Sequence, residues 1–286
     1  MPDDSADRSI VTLIREGTLD TELAATLWLL IEARVPVVVA ADEGQVGKST
    51  LLDALLAFLP ESTRVIHLAG ETETFDWLPQ ASELGWPGVA AAPRDGDPIR
   101  PDATVLYAAE LSDHLPIYTW GKGAQVAIRA ASIGYGLAAT IHADTLDEVF
   151  DTLRRWPVRV SDDELSHLGI VLVLRRSDDG RRRVVAAHFV RPVARDVHGH
   201  TQRLGPAVLA TWDPDDDAFE HFAWGITPEL ARRVGMRAGD FEVEVDRRRE
   251  HLDGLVASDV TEPQRTHVAL RAYRPAGSFD APRTDA

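Results

Sequence analysis

Cysteine is absent from the 286-residue chain. That excludes a disulfide framework and any thiolate metal site, and it is compatible with a reducing compartment. Positive charge is scarce as well, with Lys+Arg 30 against Asp+Glu 46 and a formal net charge of −16. Sequence-independent nucleic-acid binding depends on clustered cations that neutralise phosphates, so direct nucleic-acid binding is not expected. Long apolar runs are also missing; none approaches the ~20 residues of a membrane-spanning helix, and direct membrane insertion is not expected. The acidic opening Met1-Pro2-Asp3-Asp4 is unlike a secretory signal. A cytoplasmic protein is expected, reaching an inner membrane only through a partner. Lysine is rarest among the charged residues: Lys48 and Lys122 stand alone, and the other basic residues are arginine.

What is present is enough apolar residue, 44% of the chain, to bury a full core in one large domain or two. Residues 1–8 and 275–286 read as disordered tails. The segment Leu23–Ala33, opened by Asp20 or Thr21, reads as a helix with Leu27, Trp28, Leu30 and Ile31 as its buried stripe. Val35–Ala41 lacks alternation, as expected of a strand covered on both faces. Strands are expected at Arg64–Leu68, Thr104–Ala108 and Leu137–His142, with helices at Leu51–Leu59, Gly121–Ile133 and Thr145–Trp156. Later come two hairpins, around Ser177–Gly180 and Asp213–Asp217, and helices from Pro228, Phe241 and Glu262. The pattern predicts an α/β fold with a mostly parallel sheet over residues 9–195. Hairpins and a small helical region follow over 196–274.

The chemistry is concentrated at three strand ends. Gly47-Lys48-Ser49-Thr50 follows the first strand and reads as the back half of a phosphate-binding loop. In such a loop backbone N–H groups and the helix dipole hold phosphates, the lysine reaches the β- and γ-phosphates, and a hydroxyl completes the Mg²⁺ shell. Gly44, Val46, Gly47, Lys48, Ser49 and Thr50 are therefore the candidate ATP contacts. Asp42 occupies the position of the first loop glycine and places a carboxylate where phosphates would lie. Glu110 ends the third strand, where a carboxylate can stand near Mg²⁺ and the attacking water; Ser49 and Glu110 are the candidate metal residues. His142 ends the fourth strand and faces the crevice in which ligands of parallel sheets bind. Local sequence also admits a plain strand-to-helix turn and a solvated strand-end glutamate, and suits a structural histidine equally well. Both readings stand at this point.

Taken together these segments resemble the ATPases of type II and type IV secretion and pilus machines. The resemblance runs through Leu13-Ile14-Arg15-Glu16-Gly17-Thr18, the P-loop helix, Ala109-Glu110, and Ala131-Ser132-Ile133-Gly134-Tyr135 leading to Thr140-Ile141-His142-Ala143-Asp144. It covers residues from about 9 to 274. It implies a RecA-like P-loop NTPase core, ATP and Mg²⁺ as cofactors, Glu110 and His142 as catalytic groups, a hexameric ring, and an inner-membrane secretion or pilus platform protein as partner. It also implies a divergent short member, without the family's N-terminal domain. The family's acidic box is displaced to Glu71 and Glu73, and Leu111-Ser112 replaces the arginine after the Walker B glutamate. The segment from Ala69 to Pro101 is short and unlike the family's arginine-bearing stretch, for which Arg94 and Arg100 are the candidate substitutes. The alternative is a catalytically degenerate subunit that partners an intact ATPase; a small-molecule kinase fits less well, because no arginine-rich lid is evident.

Two further readings come from residues alone. Phe75-Asp76-Trp77-Leu78 and Leu115-Pro116-Ile117-Tyr118-Thr119-Trp120 read either as a partner surface or as lids packed on the core. Arg247-Arg248-Arg249-Glu250 reads as a solvated helix face.

Overall fold

The computed structural model describes residues 8–42, 44, 46–88, 99–195 and 200–273. In chain order its elements are α1 (Ile10–Arg15), α2 (Thr21–Glu32), β1 (Val37–Ala40), α3 (Lys48–Leu56), β2 (Arg64–His67), β3 (Thr104–Ala108), α4 (Gly121–Ser132), β4 (Gly136–Ile141), α5 (Leu146–Arg154) and α6 (Asp162–Leu165). These are followed by β5 (Ile170–Arg176), β6 (Arg182–Phe189), β7 (Ala194–Arg195), β8 (Thr201–Gln202), β9 (Ala207–Asp213), β10 (Ala218–His221), α7 (Thr227–Arg233), α8 (Ala238–Ala257) and α9 (Pro263–Ala272). The expected tails, together with Glu43, Gln45 and Arg94, lie outside the described residues, apart from Arg8 at the edge of the first tail.

Eight strands form one sheet in the order β10-β9-β6-β5-β1-β4-β3-β2. The five from β5 to β2 are mutually parallel, and β6, β9 and β10 extend the sheet antiparallel. This is the mixed, mostly parallel α/β architecture of a RecA-like core. Strand β1 is buried at every position. Val37 and Val39 belong to the apolar cluster on one face, Val38 and Ala40 to that on the other. An unbroken apolar run is what such two-sided coverage requires.

The helices divide by face. Residues of α4 and α5 fill the cluster containing Val38, whereas α1, α2, α3 and the C-terminal helices fill the cluster containing Val37. Asp20 caps α2 by accepting a hydrogen bond from Leu23 N–H at 2.9 Å. The expected buried stripe proves too narrow, because Leu23 to Ile31 are all buried. The reason is a second layer: α8 packs across α2 and away from the sheet, so α2 is covered on both sides.

That layer also corrects the reading of Arg247–Glu250 as a solvated face. Arg248 is 2% exposed. Its Nε donates to Glu244 Oε1 at 3.1 Å and its Nη2 pairs with Glu32 Oε2 at 2.6 Å. Its guanidinium carbon lies 4.7 Å from the Trp28 ring centroid and 5.4 Å from that of Tyr273, a cation held between aromatic faces. Tyr273 O–H donates to Glu244 at 3.0 Å, and burial followed by that carboxylate pushes the phenol up to about 12.

Candidate functional site

Three loops meet at the C-terminal edge of the parallel strands. Cross-links between neighbouring strand ends fix their relative positions. Ala41 N–H donates to Ile141 O at 3.2 Å, Leu111 N–H to Thr140 O at 2.8 Å, and Thr140 Oγ1 to Ala109 O at 2.6 Å. The residues one step further along, Asp42, Glu110 and His142, are thereby brought to one place.

The loop ahead of α3 turns at Gly47, the N-cap residue, with φ 101 and ψ 25. This left-handed conformation is cheap only for glycine. It also sits beneath Arg182: a Cβ there would lie 3.2 Å from the Arg182 Cδ and Nε. Val46 is buried in the core and anchors the loop. Gly44 is exposed, and Asp42 is exposed at the front of the loop.

Lys48, only 7% exposed, does not extend into solvent. Its Nζ lies 3.3 Å from Ala41 O, 3.3 Å and 3.4 Å from the two ring nitrogens of His142, and 3.7 Å from Glu110 Oε2. Burial lowers the ammonium below the ordinary lysine value, opposed by the charges of Glu110 and Asp42. Glu110 is itself buried; its Oε1 accepts from Ser112 Oγ at 2.8 Å and lies 3.3 Å from His142 Nε2. Lys48, Glu110 and His142 thus form one constellation. Ser49 and Thr50 are not part of it. They sit on the flank of α3 and line a cavity of about 490 Å³ with Asp53, Pro263 and His267.

Several sequence expectations need correction. Glu73 does not face the site as a displaced acidic box. It is buried and accepts hydrogen bonds from the N–H groups of Ala69, Thr74 and Phe75 and from Trp77 Nε1, at 2.8 to 3.0 Å. It is a knot that folds its own loop, with Phe75 and Leu78 buried beneath. Arg100 lies before the first residue of β3, at the opposite end of that strand from Glu110, and pairs with Asp102. It does not reach the Glu110 site of its own chain. Of the two aromatic loops the first packs on the core, while the second leaves Leu115 and Ile117 exposed. Gly70 (φ 62) lets these loops touch: Glu71 N–H donates to Pro116 O at 2.8 Å, and a Cβ on Gly70 would lie 2.3 Å from that oxygen.

The cations that do approach the loop come from the expected hairpin between β5 and β6, whose arginines sequence reasoning passed over. Arg182 overlies Gly47, and Arg175 and Arg176 line a cleft of about 270 Å³ with Asp42, Val46 and Asp144. Arg183 is 3% exposed, donates to Asp217 through Nε and Nη2 at 3.0 to 3.1 Å, and donates to Glu16 O at 3.0 Å. The Asp213–Asp217 turn is thus tied down by a buried arginine. A signal was available: five arginines at 175–176 and 181–183 flank one four-residue turn in a chain nearly devoid of lysine.

No family model matches the chain. Among curated proteins it is similar to the uncharacterized protein MJ1287 of Methanocaldococcus jannaschii, 24% identical over 254 residues, which is 85% of this chain and 90% of the relative. It is also similar to the uncharacterized protein MJ0900 of the same organism, 24% identical over 264 residues, 88% of this chain but 46% of that one. Among solved structures it is similar to the Legionella pneumophila ATPase DotB, at 16% identity and TM-score 0.31, covering 56% of this chain and 47% of that one. The VirB11 ATPase of the Brucella suis type IV secretion system, solved with sulphate, gives 18% identity and TM-score 0.34, covering 75% and 53%. The Yersinia pseudotuberculosis ATPase DotB gives 15% and 0.36, covering 90% and 62%. The chain therefore spans roughly half of the length of the solved proteins it matches. Such scores transfer neither residue nor activity, and the fold assignment rests on the sheet's own order and direction.

Proposed function

We propose that the chain binds ATP·Mg²⁺ at the Gly44–Thr50 loop and acts as a secretion-ATPase-like P-loop protein, coupling nucleotide binding and slow hydrolysis to assembly or export by a membrane machine. One observation carries this reading. A lysine at the start of α3, a carboxylate after β3 and an imidazole after β4 converge within 3.7 Å at the edge of a parallel sheet, where ligands of such sheets bind.

The chain's groups fit a nucleotide. Gly47 turns the chain so that the N–H groups opening α3 face an incoming phosphate. Lys48 exchanges Glu110 and Ala41 for the β- and γ-phosphates, and Glu110 is the residue placed to hold the metal. Ser49, the other candidate, lines the neighbouring cavity on the flank of α3 and would have to turn toward the loop to join it. Bound Mg²⁺ would supply neutralisation of the phosphate charge. Glu110, freed from Lys48, orients a water for attack, and His142 donates to the γ-phosphate. Arg182, above Gly47, offers a fork to the phosphates, which Arg100 of the same chain does not reach. The hexameric ring and the membrane platform are supported by the sequence resemblance alone.

A second reading, a non-catalytic partner of an intact ATPase, is favoured by the exposed carboxylate of Asp42 at the loop's front and by the absence of an arginine after Glu110. Calorimetry with ATP, with and without Mg²⁺, together with phosphate release, tests both. Wild type should bind ATP·Mg²⁺ and Lys48→Ala should lose binding by roughly tenfold or more, about 1.4 kcal/mol. No binding at millimolar ATP sinks both the motor and the nucleotide site. Binding with phosphate release no faster than that of the Lys48 variant selects the non-catalytic reading.

A further inference from the structure

His114 takes no part in the nucleotide reading, yet it stands against two groups that do. It lies in the irregular segment after β3, four residues beyond Glu110, and its side chain is 62% exposed. One ligand atom from each of Glu110, His114 and His142 lies within 4.8 Å of the others. His142 Nε2 and Glu110 Oε1 are 3.3 Å apart. That is about the ~3.3 Å edge of a tetrahedron of ligands ~2.0–2.1 Å from a zinc ion. His114 Nδ1 is 3.9 Å from the same carboxylate oxygen, a gap that a rotation of an exposed side chain closes.

The surrounding bonds orient these donors. His142 Nδ1 is 3.1 Å from Asp42 O. In the tautomer whose Nδ1–H donates to that carbonyl, Nε2 presents a lone pair toward Glu110, the form in which His142 would bind a metal. A metal-binding histidine usually donates its second N–H in this way. Ser112 Oγ donates to Glu110 Oε1 and fixes the carboxylate. In that tautomer a cation between or beside the two facing acceptors, 3.3 Å apart, takes the place of the Nε2–H···Oε1 hydrogen bond of the other protonation state. The Lys48 ammonium supplies that charge from one side, while the side toward His114 opens to solvent.

We infer that Glu110, His114 and His142 form a binding site for an imidazole-preferring divalent ion of the Zn²⁺ class, with three protein ligands and an open fourth position. Mg²⁺, which takes oxygen ligands, does not suit two imidazoles. The site needs no nucleotide, but it shares Glu110 and His142 with the nucleotide reading, so an ion bound here withdraws both from phosphate chemistry.

The test uses the full chain, free of any affinity tag, stripped with chelator and kept without nucleotide. Zn²⁺ is titrated calorimetrically, and Co²⁺ by its visible absorption. One ion per chain is expected, not displaced by millimolar Mg²⁺. His114→Ala and His142→Ala should each weaken it by roughly tenfold or more, with far-UV circular dichroism unchanged. Wild-type affinity no tighter than that of His114→Ala overturns the proposal. ATP calorimetry on His114→Ala keeps the two sites apart, because this variant should retain nucleotide binding.

Discussion

Arg248 illustrates how a single side chain can contradict the pattern around it. In the run Arg247–Glu250 it is one charge among four, yet it is buried against Glu244, Glu32, Trp28 and Tyr273. Removing one partner of a buried ion pair leaves the other charged and unsolvated. Arg248→Ala should therefore destabilise the fold by about 3–5 kcal/mol, read by urea unfolding, while Arg247→Ala should fall within about 0.5 kcal/mol of wild type. Equal effects would show that the pair carries no weight. Lys48, Glu110 and His142 were legible in sequence because each combines a distinctive side chain with the end of a recognisable strand. Arg182 and His114 were not, because each is placed by a turn whose direction no local periodicity records. Glu73 misled for a related reason: its place after β2 suggested a displaced acidic box, but its four hydrogen-bond donors belong to its own loop.

At the scale of elements, the most informative junction joins β10 to the start of α2. His221 Nε2 lies 2.7 Å from Asp20 Oδ2, and Nδ1 lies 3.7 Å from Glu22 Oε1. Burial, the largest single effect, opposes the charge on His221; the hydrogen bond and charge of Asp20, with Glu22, outweigh it and raise the imidazole above its ordinary 6.5. A base raised on folding binds its proton more tightly in the folded state. Its stabilisation is complete below pH 6.5 and is lost as pH rises through the higher folded value. Asp20→Asn keeps an oxygen for the α2 cap but removes the charge. The stability gap between wild type and this variant, measured by urea unfolding from pH 5 to 9, should shrink as pH rises. A gap constant with pH would assign Asp20 to capping alone. Strand positions were readable because both-face burial writes an unbroken apolar run. The full burial of α2 was not, since its second cover comes from a helix more than 200 residues later.

For the molecule as a whole, the sheet and the core run on past residue 195. Strands β9 and β10 lie in the same sheet as β1, and residues of α8 and α9 join the cluster formed with α1, α2 and α3. A chain ending at residue 237 would bare the outer face of α2, including Trp28. Such a chain should lose cooperative thermal unfolding and collect as aggregate, monitored by circular dichroism and size-exclusion chromatography. A sharp melt from a soluble monomer would instead make the C-terminal helices a detachable appendage.

The bond between Lys48 and Glu110 has a consequence for which anions the loop can admit. Already balanced by a buried carboxylate, the loop's one lysine offers little net attraction to chloride or free phosphate. An anion arriving alone must confront Glu110 once Lys48 turns away from it. A polyphosphate carrying its own divalent ion exchanges charge for charge, giving Lys48 an anion and Glu110 a cation in the same event. On the proposed nucleotide reading the pair would work as a coincidence gate, and the calorimetric contrast between ATP and ATP·Mg²⁺ measures how selective that gate is.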